Sequence, residues 1–224
     1  MRVRPGATDV AARLLPHVCG RTAVTDRLVL GLTGPPGVGK SALARALVEA
    51  FDAAYAAERA VVVGMDGFHL RQAELRSRGL EHVKGAPETF DADAFVGLLR
   101  RLRHTDTVVT APGFDRSIEE PVPAAVSVLP SHRLVVVEGN YLLLEGAWAP
   151  VRDLLDEVWH LRLPTDVRVP RLVARHVAHG RTPEAAHEWV HRSDEANARL
   201  VAAAADRADA VVDLETGQLL PAAR

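Results

Sequence analysis

Two kinds of apolar pattern alternate along the chain. Apolar runs rich in β-branched residues occupy 60–65 and 134–137, and such runs predict strands that are covered on both faces. Two further strands are predicted over 27–32 and 157–163. Between them lie longer segments whose apolar residues recur every three or four positions, as in amphipathic helices. Because strands and helices alternate, we predict an α/β fold with a mainly parallel, doubly wound sheet.

The remaining elements are shorter or less regular. Helices are predicted over 8–18, 71–78, 91–103, 167–178 and 183–205, and short strands over 107–110, 124–129 and 210–214. Asp91 stands where the helix over 91–103 needs an N-cap. Ligands of doubly wound sheets bind outside the carboxyl ends of the strands, so residues that directly follow a strand are the first candidates for function.

Composition is that of a soluble globular protein, and we expect one domain over 1–224. Hydrophobic residues make up 48% of the chain and charged residues 25%, with a formal net charge of −2, so no basic surface for nucleic acid is expected. A single cysteine excludes an internal disulfide and fits a reducing compartment. Because we find no membrane-length apolar run and no signal peptide, we expect a cytoplasmic protein. The sequence does not decide between a monomer and a homodimer.

A phosphate-binding loop is the strongest motif of the chain. It matches G-x-x-x-x-G-K-[ST] and consists of Gly34, Pro35, Pro36, Gly37, Val38, Gly39, Lys40 and Ser41. A predicted strand precedes it and a predicted helix to about residue 54 follows it, as this motif requires. Glycine permits turns in which N–H groups point at phosphate oxygens, Lys40 reaches the β- and γ-phosphates, and Ser41 binds Mg²⁺. We therefore predict a P-loop NTPase three-layer α/β/α fold that binds a nucleoside triphosphate.

Three carboxylates follow predicted strands at the same edge as the phosphate loop: Asp66, Asp115 and Glu138. Glu138 comes after three valines, the pattern of the acidic residue that holds Mg²⁺ in phosphate-loop enzymes. Asp66 is the candidate general base, which would take the proton of an acceptor hydroxyl as its oxygen attacks the γ-phosphorus. The alternatives are a turn-forming aspartate before Gly67 and a surface carboxylate at position 138.

Basic residues cluster on the predicted helix over 167–178 and just after it. Arg171 and Arg175 are four residues apart and so share a face, and Arg181 follows before the helix break. Positive charge that folds over a triphosphate stabilises a loose phosphoryl-transfer transition state. We predict a helical lid over about 168–195 in which Arg175 is catalytic and Arg171 and Arg181 bind the nucleotide. A solvated basic face is the alternative.

With these motifs in order, the chain resembles the phosphoribulokinase/uridine kinase/pantothenate kinase superfamily over about 27–200. Besides the phosphate loop, the matching segments are Asp66-Gly67-Phe68, Lys84-Gly85-Ala86-Pro87-Glu88-Thr89-Phe90-Asp91 and Val137-Glu138-Gly139-Asn140. The first two are most similar to bacterial-type pantothenate kinase. E-E-P-V-P followed by V-E-G-N-Y-L-L-L resembles a branch described as nucleoside/nucleotide kinase-like or as candidate fructose transport-system kinases. The resemblance implies ATP, Mg²⁺, transfer of the γ-phosphoryl group to a small-molecule hydroxyl, Asp66 as base, and lid arginines.

The substrate-binding segments depart from the uridine kinase pattern. Uridine kinases carry an acidic residue where this chain has Gly85, and a tyrosine and a histidine in the segment that begins here at Phe114. Uridine is therefore disfavoured, and pantothenate is not favoured because the chain is shorter and differs after Phe114. Lys84 and Arg116 are interpreted either as partners of an anionic group on the substrate or as surface charges. The other candidate substrate contacts are Phe68, His69 and Phe114.

We predict a kinase that phosphorylates a hydroxyl group of a sugar, a nucleoside-like or a pantothenate-like compound. Two other activities are alternatives, and one further motif resembles a metal site. A nucleotide-hydrolysing switch would transfer phosphate only to water, whereas Asp66 and the segment 84–91 indicate an acceptor pocket. A nucleoside monophosphate kinase would not need a base for an acceptor that is already ionised. His187-Glu188-Trp189-Val190-His191 matches the zinc motif H-E-x-x-H. Because it lies in a charged, alanine-rich helix, we interpret it as a chance match.

Overall fold

A computed structural model describes residues 4–104 and 106–222, and in these ranges the chain has an α/β architecture. The strands are β1 (Leu28–Thr33), β2 (Ala60–Gly64), β3 (Val109–Asp115), β4 (Glu120–Val128), β5 (Leu134–Glu138), β6 (Glu157–Arg162), β7 (Ala210–Asp213) and β8 (Gln218–Pro221). The helices are α1 (Ala7–Thr22), α2 (Lys40–Tyr55), α3 (Gln72–Ser77), α4 (Ala92–Leu102), α5 (Ala149–Leu154), α6 (Thr165–Ala178), α7 (Pro183–Trp189) and α8 (Glu195–Ala203). None of the helices described is long and apolar enough to span a lipid bilayer.

The main sheet, as far as the described ranges show it, has the strand order β2-β5-β1-β6-β7-β8. β8 runs antiparallel to β7, and the other neighbouring pairs are parallel. Alternate residues of β1 face opposite layers, because Val29 packs into one apolar cluster whereas Leu28, Leu30 and Leu32 belong to the other. These observations confirm the predicted doubly wound α/β fold.

The helices cover both sides of this sheet with their apolar faces. α1 and α2 pack on the side of Leu30, and α4 and α5 pack on the side of Val29. The Asp91 carboxylate accepts a hydrogen bond of 2.8 Å from the backbone N–H of Ala94, so Asp91 is the N-cap of α4 as predicted. The observed ends of the four long central strands differ from the predicted ends by no more than one residue.

The strands predicted over 107–110 and 124–129 do not belong to the main sheet. They overlap the start of β3 and the second half of β4, which form a separate antiparallel hairpin with an irregular register near Pro112. Pro112, Pro121 and Pro123 cannot donate a backbone hydrogen bond, so these segments are unsuited to the interior of a sheet. The prediction that a third strand of the sheet delivers a carboxylate to the site is therefore wrong.

The single helix predicted over 183–205 is divided in the structure. α7 ends at Trp189, a π-helical turn covers Val190–Asp194, and α8 continues from Glu195. A π turn changes the direction of the side chains that follow it, and such turns are frequent at functional sites. After α8 the chain adds β7 and then β8, a strand that the sequence pattern did not predict.

The β3–β4 hairpin lies against the 3₁₀ turn Met65–Phe68, which directly follows β2. Gly67 of this turn approaches the hairpin so closely that a Cβ atom there would lie 2.3 Å from the Pro112 carbonyl oxygen. Glycine is therefore required for the close approach of the two backbones. The contact places the turn between β3 and β4 beside the carboxyl end of β2.

Candidate active site

The carboxyl ends of β1, β2 and β5 open into a cavity of about 490 Å³. The phosphate loop, the β3–β4 turn and the segment from α6 to α8 form its walls. Polar side chains from all these segments line it, among them Lys40, Asp66, Lys84, Arg116, Glu138 and Arg175. The position agrees with the rule that parallel sheets bind ligands at the carboxyl ends of their strands.

The phosphate loop has the backbone of an anion-binding site. Gly34, Gly37 and Gly39 have φ angles of 151°, 77° and 110°, a region that residues with a Cβ atom rarely adopt. A Cβ atom on Gly37 would also lie 2.5 Å from Cγ of Leu172 on α6. Because α2 begins at Lys40, its N-terminal N–H groups and helix dipole face the same space. The loop fits a bound phosphate group.

The Lys40 side chain is buried against this loop. Its Nζ donates hydrogen bonds of 2.9 Å to the Gly34 carbonyl and 3.2 Å to the Pro35 carbonyl. Burial lowers the pKa of Lys40 to about 8, while the nearby carboxylates of Glu138 and Asp66 act in the opposite direction. A desolvated ammonium group with only carbonyl partners is suited to bind phosphate oxygens.

Ser41 and Glu138 stand where the sequence predicts a magnesium site. The Ser41 Oγ donates a hydrogen bond of 2.9 Å to Glu138 Oε1, which brings the two side chains together across α2 and β5. Burial raises the pKa of Glu138, and the charge of Asp66 raises it further. A hydroxyl and a carboxylate in contact are the hard oxygen donors that Mg²⁺ prefers. The donor set fits this ion.

Asp66 lies in the 3₁₀ turn after β2 and lines the cavity. Its Oδ2 accepts a hydrogen bond of 2.7 Å from Nη2 of Arg116, which belongs to the β3–β4 turn. About a third of the Asp66 side chain is exposed, so the carboxylate faces the cavity rather than the core. Asp66 is therefore accessible to an acceptor, but one of its oxygens is occupied by Arg116.

An aromatic wall stands next to Asp66. The His69 ring lies between Phe90 and Phe114, with centroid distances of 3.9 Å and 4.8 Å, and all three line the cavity. Burial lowers the pKa of His69, so the ring is neutral at physiological pH and serves as an aromatic surface. His69 Nδ1 also lies 2.8 Å from the Asp66 carbonyl oxygen, which holds the ring in place.

Lys84 reaches the same part of the cavity from the loop before α4. Its Nζ donates to the Glu119 backbone carbonyl at 3.0 Å and pairs with the Glu119 carboxylate at 3.0 Å. A third, longer hydrogen bond of 3.3 Å goes to the Gln72 side chain. Lys84 and Arg116, which the sequence analysis grouped as candidate substrate contacts, thus lie together at the β3–β4 turn.

The lid arginines divide between two cavities. Arg175 and Arg181 line the large cavity, and Arg181 also lies over the Trp189 ring at 4.2 Å. Arg171 and Arg175 line a second cavity of about 230 Å³, between α6 and the start of α2. The two cavities share Gly37, Lys40, Ser41 and Arg175. A lid over 168–195 stays a prediction.

Outside the phosphate loop, Asp115 and Phe68 were predicted at the site but are not among the described residues that line either cavity. Asp115 accepts hydrogen bonds of 2.8 Å and 2.6 Å from the backbone N–H and hydroxyl of Ser117, so it stabilises the hairpin turn. The prediction that Asp115 lies beside Asp66 and Glu138 is wrong, because β3 is not a strand of the main sheet. Phe68 is buried and packs against Phe95 at a centroid distance of 5.1 Å, as a residue of the core.

Arg168 is a site residue that the sequence analysis missed. Its side chain is only 3% exposed, its Nη1 donates to the Pro36 carbonyl at 3.1 Å, and its Nη2 pairs with Glu195 at 2.6 Å. It therefore ties α6 and α8 to the phosphate loop. The available signal was its position seven residues before Arg175, which places both on one helical face.

A second group of missed residues surrounds Gly85. The Gly85 carbonyl accepts hydrogen bonds from the Tyr141 hydroxyl and from Nδ2 of Asn197 at 3.2 Å. Nearby, His176 and Asp194 pair at 2.8 Å and both line the cavity. Tyr141 follows the V-E-G-N segment, so its place in the chain could have indicated it. No local pattern indicated Asp194 or Asn197, because the π turn sets their direction.

The H-E-x-x-H segment carries two neighbouring imidazoles. The His187 and His191 rings have a centroid distance of 4.4 Å. Throughout residues 4–104 and 106–222, no group of three or more His, Cys, Asp or Glu side chains is arranged to hold a metal ion. The structure gives this segment no third ligand of that kind.

Comparisons with known proteins agree with this geometry. The model of the phosphoribulokinase / uridine kinase family matches residues 29–220. A candidate uridine kinase of Schizosaccharomyces pombe is 37% identical over 187 residues, which are 79% of this chain and 78% of that protein. A pantothenate kinase of Leifsonia xyli subsp. xyli is 32% identical over 154 residues, 67% of this chain and 48% of that enzyme. The solved structure of a candidate fructose transport system kinase from Silicibacter sp. TM1040 has a TM-score of 0.78 and 38% identity, covering 87% of this chain and 94% of that one.

Proposed function

The chain belongs to the phosphoribulokinase/uridine kinase family, and we propose that it transfers the γ-phosphoryl group of ATP to a hydroxyl of a small metabolite, with Mg²⁺ as the metal ion. Family membership makes the chain a phosphotransferase. The observation that carries the finer proposal is the pair of cavities that meet at Lys40, Ser41 and Arg175. A kinase needs one space for the donor and another for the acceptor, joined where the phosphoryl group is transferred.

The residues around the junction supply what in-line phosphoryl transfer requires. The acceptor oxygen forms a bond to the γ-phosphorus while the bond between that phosphorus and the leaving oxygen of ADP breaks. Asp66 takes the proton of the acceptor hydroxyl, and Lys40 and Arg175 stabilise charge on the transferred group. Ser41 and Glu138 would hold Mg²⁺, which would neutralise further charge on the phosphate oxygens. The Asp66 and Lys40 side chains both line the larger cavity.

The wall of the larger cavity favours an organic acceptor over water. His69, Phe90 and Phe114 offer an aromatic surface that a water molecule does not require. A hydrolytic switch would not need this surface, and an acceptor phosphate that is already ionised would not need Asp66 as a base. The aromatic surface therefore favours a hydroxyl kinase over a hydrolytic switch, and Asp66 favours it over a nucleoside monophosphate kinase. Sugars, nucleoside-like compounds and pantothenate-like compounds are the acceptor classes to test.

ADP release with ATP and Mg²⁺ tests the proposal directly. The panel contains fructose, uridine, pantothenate, glycerate and further hydroxyl metabolites, each read against a well without acceptor. We expect at least one acceptor to stimulate release and to appear as a phosphorylated product by mass spectrometry. Equal, slow release in every well, without a phosphorylated acceptor, would contradict the proposal and indicate a hydrolytic switch.

A matched pair of variants tests Asp66 as base. We expect Asp66→Asn to retain nucleotide binding and to lower acceptor-stimulated turnover by roughly 10²- to 10⁴-fold, the range of general base catalysis. Asp153→Asn, an exposed change on α5, is the control and should retain turnover. Unchanged turnover in Asp66→Asn would remove Asp66 as the base.

A further inference from the structure

The use of lysine in this chain is unusual. Of its 27 Lys and Arg residues, the sequence contains lysine only at positions 40 and 84, so the other 25 are arginine. Both lysines line the large cavity. Lysine differs from arginine in being a compact point charge on a flexible stem, which suits a single anion in a narrow space. Because Lys40 belongs to the phosphate loop, Lys84 is the other position where the chain departs from its general use of arginine.

Lys84 is a shielded cation with an exposed partner. Its side chain is 15% exposed, whereas the side chain of Glu119, which pairs with it, is 68% exposed. The ammonium group also lies 5.8 Å from the Phe114 ring centroid, beside the aromatic wall. A carboxylate that is mostly in solvent contributes little net stabilisation to such a pair. An anion that enters the cavity can therefore replace Glu119 at small cost.

Arg116 forms a similar ion pair with Asp66, the candidate base. Both Arg116 and Glu119 belong to the turn between β3 and β4, so the two cations, Lys84 and Arg116, meet the cavity at one place. Arg116 is 51% exposed and its bond to Asp66 is 2.7 Å long. While this bond persists, one oxygen of Asp66 is unavailable to an acceptor hydroxyl. A neutral acceptor would have to break the pair without offering Arg116 another anion.

We propose that the acceptor carries an oxyanion, a carboxylate or a phosphate ester, which replaces Glu119 and Asp66 as the partner of Lys84 and Arg116. The oxyanion frees Oδ2 of Asp66, so both oxygens of the base are available to the acceptor hydroxyl only when an acidic acceptor is bound. This inference rests on the proposed function and narrows its substrate class. Without an acceptor, Arg116 occupies Oδ2 of Asp66, and we expect this ion pair to slow the activation of water and thus the hydrolysis of ATP.

Matched acceptors test the substrate class. Each acid is compared with a neutral compound of the same skeleton: glycerate with glycerol, gluconate with glucose, pantothenate with pantothenol. Ribose 5-phosphate with ribose and glycerol 3-phosphate with glycerol separate phosphate esters from carboxylates. We expect kcat/KM to be higher for the acidic member of the productive pair. If the neutral member is used equally well, the inference is wrong while the kinase proposal stands; if no acceptor is phosphorylated, the proposed function fails first.

Variants test the two cations. Loss of a charge-assisted hydrogen bond in Lys84→Gln or Arg116→Gln should lower kcat/KM for the acid about 10- to 100-fold. The preference for the acid over its neutral partner should fall with it. Lys84→Arg, which keeps the charge, should retain part of the preference. Arg78→Gln is the control, because Arg78 pairs with Glu74 on the surface of α3 and does not line the cavity.

Arg116→Gln has a second readout that a merely structural role would not change. Because Asp66 loses its partner, ADP release without acceptor should rise in this variant and should return to a low level in Arg116→Gln/Asp66→Asn. A preference for acids that is the same in wild type and both cation variants would overturn the inference. So would unchanged acceptor-independent release in Arg116→Gln.

The two lysines also allow a binding test on the wild-type protein. Protein labelled with [¹³Cε]lysine should give NMR signals from Lys40 and Lys84 alone, assigned with Lys84→Arg. Titration with the acid of the productive pair should shift the Lys84 signal to saturation, and the neutral partner should leave it in place. If the acid is phosphorylated but its binding does not move the Lys84 signal, the inference is wrong.

Discussion

At the scale of single residues, His160 is a buried titratable group that the proposed chemistry does not use. It lies on β6, is 8% exposed, and its Nδ1 has no hydrogen-bond partner among the described residues. Burial lowers its pKa to about 4, and the charges of Lys40 and Arg162 act in the same direction. The folded chain therefore holds this imidazole neutral.

We predict that His160 makes the protein sensitive to mild acid. An unfolded histidine takes up a proton near pH 6.5, whereas the folded one does so only near pH 4. The contribution of neutral His160 to the free energy of unfolding is thus complete above pH 6.5 and is lost as the pH falls toward 4. Between pH 7 and pH 5, urea unfolding should show a loss about 2 kcal/mol larger for wild type than for His160→Gln. The same change at exposed His82 is the control, and equal losses in wild type and His160→Gln would contradict the prediction.

At the scale of elements, the β3–β4 hairpin is the part that completes the acceptor side. It carries Phe114 and Arg116 to the cavity, and its position depends on the contact between Gly67 and Pro112. Within residues 4–104 and 106–222, no strand of the main sheet is hydrogen-bonded to the hairpin. We therefore expect acceptor binding to depend on a backbone contact outside the cavity itself.

We predict that Gly67→Ala separates acceptor use from nucleotide binding. The added Cβ atom would lie 2.3 Å from the Pro112 carbonyl oxygen, so the hairpin must shift at a cost of about 1–3 kcal/mol. Acceptor kcat/KM should fall, while nucleotide affinity stays near that of wild type. Gly97→Ala is the matched control, because no atom lies within 4 Å of its Cβ position on α4 and it should stabilise the helix by about 0.5–1 kcal/mol. Equal kinetics for the two variants would count against the role of the hairpin.

At the scale of the whole molecule, the segment from α6 to α8 is anchored at one end and open at the other. Arg168 and Leu172 hold the start of α6 against the phosphate loop. Arg175 and Arg181 farther along face the cavities and are exposed. This arrangement fits a lid that hinges at the phosphate loop and closes when a triphosphate neutralises its arginines.

We predict that nucleotide binding protects this lid from hydrogen exchange. With Mg²⁺ and a non-hydrolysable ATP analogue, peptides from 175–195 should exchange more slowly, and peptides from α1 should change least. In Arg175→Gln/Arg181→Gln the protection of 175–195 should be lost, whereas Arg199→Gln, an exposed change on α8, should retain it. Protection that persists in the double variant would show that the lid arginines do not close over the nucleotide.

The sequence by itself determined the central strands, most helices, the phosphate loop, and the places of Asp66 and Glu138. These features depend on neighbours in the chain: a buried parallel strand is a continuous apolar run, and a phosphate loop needs glycines at fixed spacing. The ends of such strands then follow to within a residue. Asp66 and Glu138 could be predicted because Asp66 lies two residues after β2 and Glu138 is the last residue of β5, so that their positions need no further information.

Only the tertiary structure decided which residues from distant segments meet. It placed Arg116, not Asp115, beside Asp66, because the proline-containing strands β3 and β4 form a hairpin outside the main sheet. The π turn contains Asp194, which lines the cavity, and the buried Arg168 ties α6 to the phosphate loop. A hydrogen bond or ion pair between segments tens of residues apart depends on packing of the folded chain, and local periodicity carries no information about it.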